Sequence, residues 1–443
     1  MKIEADLTEI AAYGEGEMPA PATAVASVIL SMALIAVGNG LIFAFVPLRL
    51  ALEGLPPVLA GSMVIALSAG GIAGCFLTGI LVRRVGHARV YMTFSALIIL
   101  SSVVLSVGLY PVLWLAARAV YGIAITGLFI VSQSWLNDVV GNDIRGRVLA
   151  IFYVSYIVGI GVGSYLIAHV DVATGMAPLV AISFAALSIV PVGLTRLRPP
   201  PPPETASISV RAVWRISPVA LVGMLAVGGL TMMIAGFTPI HLAASGYSKN
   251  EIALLMLALP LGTLLVQLPA GWLSDRVDRR CVLAGAALIV IAGGMVARLW
   301  DGSPILVLIC IYVIWAGATE SIYSISNAHA SDRAERGELV QVASTMLFAW
   351  SLSGFLIPAV ATTLTAIHGT ITFIYVAIVI AALFVAFTAW RIATSRPVPA
   401  DESGSFAPMT AQAPVAADLA YQPGEDAPST GPGVANPATV LKR

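Results

Sequence analysis

The stretches that decide the fold are "GILVRRVGHARV", residues 79–90, and "GWLSDRVDRRCV", residues 271–282. Each ends a long apolar run with a cluster of charge, and the two stand 192 residues apart (271 − 79). An ungapped overlay of residues 45–90 on 237–282 contains thirteen identities, including prolines and glycines at loop positions. A second, shorter pair of similar segments is "NDVVGNDIRGR", which ends at Arg147, and "NAHASDRAERGE", which ends at Glu338. The chain is therefore predicted to consist of two repeated halves.

The composition places most of this chain in a lipid bilayer. Its 443 residues are 58% hydrophobic and 10% charged, with a formal net charge of zero, and the mean hydropathy is +0.94. Soluble domains carry about 25% charged residues. The three cysteines lie in or beside apolar runs without metal-ligand spacing, so we expect no disulfide, metal site or cofactor. No basic block is long enough to indicate a nucleic-acid partner.

Twelve membrane spans are predicted, because a helix needs about 20 apolar residues to cross the hydrocarbon layer. They lie near residues 24–46, 58–81, 90–109, 112–136, 148–168, 177–195, 216–240, 250–273, 281–299, 304–326, 339–364 and 370–391. With the N-terminus inside, the inner loops hold fourteen arginines, whereas three basic residues face outward. The positive-inside rule then predicts that both termini are cytoplasmic.

The spans divide the chain into five predicted segments. Five consecutive prolines follow the sixth span and favour an extended connector, and the C-terminus is rich in Pro, Ala, Ser and Gly. The segments are an acidic cytoplasmic N-terminus (1–23), a six-helix bundle (24–195), a Pro-rich cytoplasmic linker (196–215), a second six-helix bundle (216–392) and a disordered cytoplasmic tail (393–443). The acidic N-terminus is unlike the basic start of a cleaved signal peptide.

Two six-span halves of the same orientation predict a pseudo-twofold axis along the membrane normal. Transporters built in this way bind substrate near the middle of the membrane between the halves. Channels also use repeats, so the repeat favours transport without proving it.

The repeated loop motif resembles that of the major facilitator superfamily, and the resemblance covers about residues 24–391. The family motif reads roughly G-x-L-x-D-R-x-G-R-R/K. The second copy matches it at Gly271, Leu273, Asp275, Arg276, Arg279 and Arg280. The first copy keeps Gly79, Leu81, Arg84 and Gly86 but has Arg83 at the acidic position. The resemblance implies an all-α membrane protein with twelve transmembrane helices in two pseudo-symmetric six-helix bundles.

Other segments refine the resemblance. "RAVYG" at residues 118–122 is similar to the fourth-span signature of the family, and "SQSWLND" at 132–138 resembles a poorly characterised bacterial branch. "GIGVGSY" at 159–165 has the glycines but not the proline of the fifth-span motif of drug–proton antiporters. The chain therefore departs from the antiporter pattern.

Two ionisable residues are predicted well inside the spans, where a charge is costly and normally faces a cavity or a partner. Arg118 is a candidate for binding an anionic or polar substrate group, or alternatively a structural cation that ties helices together. Glu320 is a candidate proton acceptor for coupling, or a group that pairs with substrate.

Further candidates for substrate binding are polar and aromatic residues. Asn39 and Gln267 can bind polar groups or hold helices together at about 1 kcal/mol or less each. The resemblance places the first, fourth, seventh and tenth spans around the cavity, and this adds Tyr121, Trp315 and Tyr323 to Asn39 and Glu320. Aromatic residues on the fifth and eleventh spans are weaker candidates: Tyr153, Tyr156 and Trp350.

A cytoplasmic gate is suggested by the reversed charge of the two loop copies. The resemblance places each loop against the start of a span in the other half, which would pair Arg83 with Glu338 and Asp275 with Arg147. Arg84 and Arg276 adjoin these pairs. Such pairs contribute about 1 kcal/mol at most, enough to bias two similar conformations. We predict a latch that closes the cytoplasmic side, and the alternative is that these are solvated loop charges.

The sequence therefore predicts a secondary active transporter that moves a small organic solute across the cytoplasmic membrane by alternating access. Proton coupling through Glu320 is a hypothesis, and the expected partners are the solute, protons and the lipid bilayer around a monomer. The alternative is a membrane sensor or receptor on a transporter scaffold. No catalytic constellation is apparent, so an enzyme is not expected. Substrate identity, and uptake versus efflux, stay open.

Overall fold

The computed structural model describes residues 22–140, 142–194, 208–335 and 338–395. Three predictions lie wholly or largely outside these ranges: the acidic N-terminal segment, the proline-rich part of the linker, and the disordered tail.

Within these ranges, twelve long helices are each apolar and long enough to cross a membrane, which confirms the predicted all-α architecture and number of spans. The first six are α1 (Ala22–Leu52), α2 (Pro57–Val85), α3 (His87–Val107), α4 (Pro111–Val139), α5 (Asn142–Leu166) and α6 (Met176–Leu194). The short α7 (Val210–Ile216) follows. The second half contains α8 (Pro218–Ala244), α9 (Lys249–Ser274), α10 (Arg279–Leu299), α11 (Ile305–Ser331), α12 (Leu339–His368) and α13 (Thr372–Thr394).

Helix α1 runs six residues past its predicted end because its polar end is satisfied locally. Arg49 pairs with Glu53 one turn further on, at 2.6 Å, and donates to the Val172 carbonyl at 3.1 Å. Pro47 lies inside the helix instead of ending it. The spacing of four residues places Arg49 and Glu53 on one face, which stabilises the last turn.

The repeat is visible in the backbone where α1 and α8 end. Gly54 and Gly246, aligned by the 192-residue offset, have positive φ angles of 67° and 85°. Glycine adopts this left-handed conformation without the steric cost that a Cβ brings. The two glycines therefore form equivalent turns in the two halves.

The end of the linker is helical, where the sequence predicts an extended connector. Ser209 caps α7 by accepting from the Ala212 amide at 3.3 Å, and its own amide donates to Thr345 of α12 at 2.9 Å. The Trp214 ring lies 6.0 Å from Phe387 of α13. These contacts attach α7 to the second half, and they were not predictable from the proline run.

Corresponding helix pairs pack against each other in both halves: α2 on α4 as α9 on α11, and α1 on α5 as α8 on α12. Small residues permit the closest approach, because a Cβ at Gly122 would collide with the Leu67 carbonyl and one at Gly70 with the Ala119 carbonyl. Between the halves, α2 packs on α12 and α5 packs on α9. The halves therefore meet along two equivalent seams.

Candidate functional site

The larger of two cavities between the halves has a volume of about 140 Å³. Its lining is mostly apolar, with a few hydroxyl groups, one amide and one carboxylate. The lining residues come from five helices: Asn39 and Phe43 of α1; Tyr156, Ile157, Ile160 and Ser164 of α5; Thr231, Met232, Ile234 and Ala235 of α8; Met256, Leu259, Pro260 and Thr263 of α9; and Ala316, Thr319 and Glu320 of α11.

Glu320 carries the only formal charge among the described residues that line either cavity. It lies near the middle of α11, and Thr231 of α8 donates a hydrogen bond to its Oε1 at 2.6 Å. A carboxylate in an apolar environment is stable when it binds a cation, accepts hydrogen bonds or takes up a proton. The site can therefore hold a proton or a positively charged group.

The second cavity, of about 60 Å³, lies between α2 and α4 of the first half and α12 of the second. Its lining residues are Leu67, Ser68, Gly71, Gly122, Ile125, Thr126, Phe129, Ile130, Met232, Leu347, Trp350, Ser351 and Gly354. Met232 thus lines both cavities.

The two cavities occupy equivalent places in the two repeats. Leu67 and Ser68 of α2 line the second cavity, and Leu259 and Pro260, which lie 192 residues later, line the larger one. Helices α4 and α11 start 194 residues apart, and by that offset Thr126 corresponds to Glu320. The pseudo-symmetry therefore relates the two cavities, but among their described lining residues only the larger cavity has a carboxylate.

Contacts between the halves bracket the cavities. The face with Arg83, Arg84, Asp275 and Arg276 is called the arginine-rich face below. On its side, the Tyr153 hydroxyl of α5 donates to Gln267 Oε1 of α9 at 3.1 Å, in a buried position.

On the opposite side, Lys249 Nζ at the start of α9 donates to the Val170 carbonyl of the first half at 3.0 Å. The halves therefore touch on both sides of the cavities.

The predicted binding residues separate into two groups. Asn39 and Glu320 line the larger cavity. The other predicted residues are buried but are not among the described lining residues of either cavity: Arg118, Tyr121, Gln267, Trp315 and Tyr323. Gln267 lies at the contact between the halves, whereas Trp315 packs on Tyr312 and Phe373, with ring centroids at 5.3 and 6.0 Å.

Arg118 lies one turn from Gly122 on α4 and is 2% exposed. Its guanidinium stands over the Tyr121 ring, 5.4 Å from the centroid. Its Nε and Nη1 have no hydrogen-bond partner within the described part of the chain. A buried guanidinium with unmade hydrogen bonds is unusual, because each unmade bond costs free energy.

The predicted gate residues are arranged differently from the predicted latch. Arg83, Arg84 and Arg147 are exposed, and Glu338 Oε2 accepts from the Glu335 amide at 3.3 Å. The ion pairs between described residues do not join Arg83 to Glu338. The latch is therefore not formed by Arg83 in this conformation.

In the second loop copy, Asp275 lies 3.6 Å from Arg279. Arg279 also donates to Asp332 at the end of α11, at 2.6 Å. Arg276 stands over the Trp272 ring, 3.7 Å from its centroid. These contacts hold the loop to its own half.

Arg280 extends this loop network and is 2% exposed. It donates to Asp278 at 2.7 Å and to the Ser395 carbonyl at 3.0 Å. Burial acts to raise the pKa of Asp278, but the hydrogen bonds from Arg280 outweigh it and the pKa is lowered. The Arg280 guanidinium therefore attaches the loop to the end of α13, and the ionised Asp278 carboxylate holds that guanidinium in place.

Sequence reasoning missed Thr231, Met232 and Ser68. Hydroxyl groups in the middle of apolar helices are a weak sequence signal, because most bond to a backbone carbonyl of their own helix. Nothing in the sequence marks Met232 as a cavity-lining residue, because an apolar residue in a span predicts only burial. Within the described ranges, no group of three or more His, Cys, Asp or Glu residues is arranged to hold a metal ion.

Comparison with known proteins gives the family. The sequence model of the Major Facilitator Superfamily matches residues 28–248 and, in a second match, 219–423. The chain is 27% identical over 318 residues to the uncharacterized MFS-type transporter YcaD of Salmonella arizonae, covering 71% of this chain and 81% of that protein. It is also 27% identical over 320 residues to YcaD of Escherichia fergusonii, with the same coverage of 71% and 81%.

Solved structures share the fold at low sequence identity. The nucleoside transporter NupG superposes with a TM-score of 0.68 at 12% identity, covering 84% of this chain and 99% of that one. The D-xylose-proton symporter has a TM-score of 0.64 at 14% identity, with coverage of 82% and 96%. The family match, the twelve spans and the paired six-helix bundles lead to one conclusion: this chain belongs to the Major Facilitator Superfamily and is a multi-pass membrane transporter.

Proposed function

We propose that this protein is a secondary active transporter that carries a small organic solute across the cytoplasmic membrane by alternating access. The solute would bind in the larger cavity, and Glu320 would couple its movement to protons. The observation that carries the proposal is the Glu320 carboxylate in a mostly apolar cavity between the halves. This position allows Glu320 to meet each side of the membrane in turn.

The coupling follows from the cost of burying a charge in a mostly apolar cavity. Glu320 would be protonated when the cavity has no cation and would lose the proton when a positively charged group binds. Asn39 would bind a polar group of the solute in the same cavity. Arg118 would use its unmade hydrogen bonds to bind an anionic or polar group of a substrate that reaches the second cavity, which Gly122 lines one turn away.

The proposed orientation places the arginine-rich face in the cytoplasm, as the positive-inside rule predicts. Arg83 and Glu338 would then form their pair in the state in which the cytoplasmic side is fully closed. The exposure of Arg83 leaves its guanidinium available for such a pair.

The test is a thermal-shift screen of the purified full-length protein against a metabolite library, followed by flux measurements in liposomes with and without a pH gradient. Glu320→Gln should abolish the effect of the gradient while the protein stays folded. Glu53→Gln, which changes an exposed glutamate, is the matched control and should keep it. Gradient-driven flux that survives Glu320→Gln would refute the coupling, and saturable binding without flux would favour the sensor alternative.

A further inference from the structure

One flexible side chain lies between the two cavities, beside the contact of Phe129, which lines the second cavity, with Tyr156, which lines the larger one. Met232 lines both of them, and methionine changes shape easily because it is unbranched and has three rotatable bonds. Gly354 of α12 faces it, since a Cβ at that position would lie 3.2 Å from Met232 Cγ. The part of the wall that Met232 forms can therefore change shape without displacing a helix.

The larger cavity alone is small for an organic solute. A cavity of roughly 150 Å³ holds one benzene ring, and this one has about 140 Å³. Pockets for larger organic ligands measure about 300–1,000 Å³. A solute bigger than a single ring would therefore need the second cavity as well.

The second cavity carries hydrogen-bond donors whose partners are missing. Trp350 Nε1 and Ser68 Oγ are buried and have no hydrogen-bond partner in the described residues, and both residues line this cavity. An indole N–H can only donate, and a buried donor without an acceptor costs free energy. A ligand with an acceptor oxygen in this cavity would satisfy both groups.

The charges fix the direction in which a ligand would lie. Glu320 attracts a positive group into the larger cavity. Arg118 lies one turn from Gly122, a residue that lines the second cavity, and residues four apart share a helix face. Its positive charge would disfavour a cation in the second cavity and favour an acceptor there.

We infer that the two cavities form one elongated binding site for an organic cation that carries a hydrogen-bond acceptor at its far end. The cationic end binds at Glu320, the acceptor binds at Trp350 and Ser68, and Met232 moves aside to connect the cavities. This inference rests on the proposed transport function and names the chemical class of its solute.

Three probes test the site on the full-length protein in lipid nanodiscs by isothermal titration calorimetry. Benzyltrimethylammonium has the charge and a single ring. (4-Benzoylbenzyl)trimethylammonium adds a second ring and a ketone acceptor, and (4-benzylbenzyl)trimethylammonium has the second ring without the acceptor. We expect the ketone probe to bind about tenfold more tightly than the two-ring probe without the ketone, which is the scale of one good hydrogen bond to a buried donor. Its advantage over the single-ring probe should be larger, because the second ring is also buried.

Variants separate the two ends of the site. Trp350→Phe should remove the advantage of the ketone probe and leave the single-ring probe unchanged, and Ser68→Ala should reduce that advantage. Trp315→Phe is the matched control, because its Nε1 also has no described partner but it is not among the lining residues of either cavity. Glu320→Gln should weaken all three probes equally.

Met232 distinguishes one connected site from two separate ones. Met232→Phe should block both two-ring probes and spare the single-ring probe, because a rigid ring would fill the passage. Equal binding of the three probes, or a loss on Trp350→Phe that is the same for all three, would overturn the inference. So would wild-type protein that binds no probe.

These failures differ from a failure of the proposed function. If the ketone probe binds with the expected ranking but does not cross liposome membranes, the binding site stands and transport is refuted for this class of solute. If the library screen yields a transported solute whose binding is insensitive to Trp350→Phe and Met232→Phe, transport stands and the elongated site is refuted.

Discussion

The hydrogen bond between Tyr153 and Gln267 is expected to hold the halves together on the arginine-rich side of the cavities. The two atoms are 3.1 Å apart in a buried position between α5 and α9. Hydrogen bonds between membrane helices contribute about 0.6 kcal/mol on average and up to about 1.7 kcal/mol. Tyr153→Phe should therefore shift the equilibrium toward opening of this side by about threefold, and by about 18-fold at most.

A native thiol provides the assay. Cys75 of α2 lies at the other seam between the halves, with its Sγ 3.9 Å from Ser351 Oγ of α12. The two other cysteines of the sequence, Cys281 and Cys310, are exposed and can be replaced by serine. The rate at which a membrane-impermeant methanethiosulfonate reagent modifies Cys75 would then report opening, and Tyr153→Phe should raise it about threefold.

The control is Tyr312→Phe, because Tyr312 packs on Trp315 within the second half. It lies on α11, which belongs to neither seam between the halves. It should leave the rate unchanged. Gln267→Leu should raise the rate as Tyr153→Phe does, and the double variant should add little to either single variant. A rate that is unchanged or lower in Tyr153→Phe, or full additivity in the double variant, would refute the reasoning.

Three further predictions concern the gate, the opposite side and the helix packing. Arg83→Glu should impair transport in a liposome flux assay, and the addition of Glu338→Arg should restore it if the latch forms. Lys249→Met should favour opening on the opposite side by about fivefold, because the bond to the Val170 carbonyl is lost; spin-label distances across that side would measure the shift. Gly122→Ala should lower the free energy of unfolding by about 1–3 kcal/mol in a denaturant titration, because its Cβ would collide with backbone.

Each of these has a matched comparison. If transport is not restored in the double variant Arg83→Glu, Glu338→Arg, the proposed Arg83–Glu338 latch is wrong. Lys249→Arg keeps a donor and should behave like the wild type, so an equal effect of both substitutions would contradict the assigned hydrogen bond. Gly193→Ala places its methyl group in open space and should be neutral, and a Gly122→Ala variant as stable as Gly193→Ala would contradict the packing argument.

The charge reversal between the loop copies has a local explanation in the second half. Asp275 lies 3.6 Å from Arg279, and the 192-residue offset pairs Arg279 with His87 in the first half. His87 is buried, and its Nε2 lies 3.3 Å from Ser134 Oγ. Without an arginine at that position, an acid at position 83 would lose this local partner. The reversal therefore fits the neighbours of each loop in its own half, whether or not a latch forms between the halves.

The sequence by itself determined the number of spans, the two halves and the family motif. These follow from properties that are local in the chain: about 20 apolar residues for each span, glycines in left-handed turns, and a motif kept at a constant offset. It also selected Glu320 and Asn39, which line the larger cavity, because a polar group within an apolar run normally faces a cavity or a partner. The same signal selected Arg118 and Gln267, which are not among the described lining residues of either cavity.

Only the tertiary structure decided which of the other candidate residues line a cavity. Sequence reasoning favoured Trp315 over Trp350, yet Trp350 lines a cavity and Trp315 packs inside the second half. The membrane-spanning helices are apolar on every side, so the sequence carries little information on which side faces a cavity, a neighbouring helix or lipid. That choice depends on how the helices of two halves cross, and the crossings are set by long-range contacts such as Gly122 against Leu67.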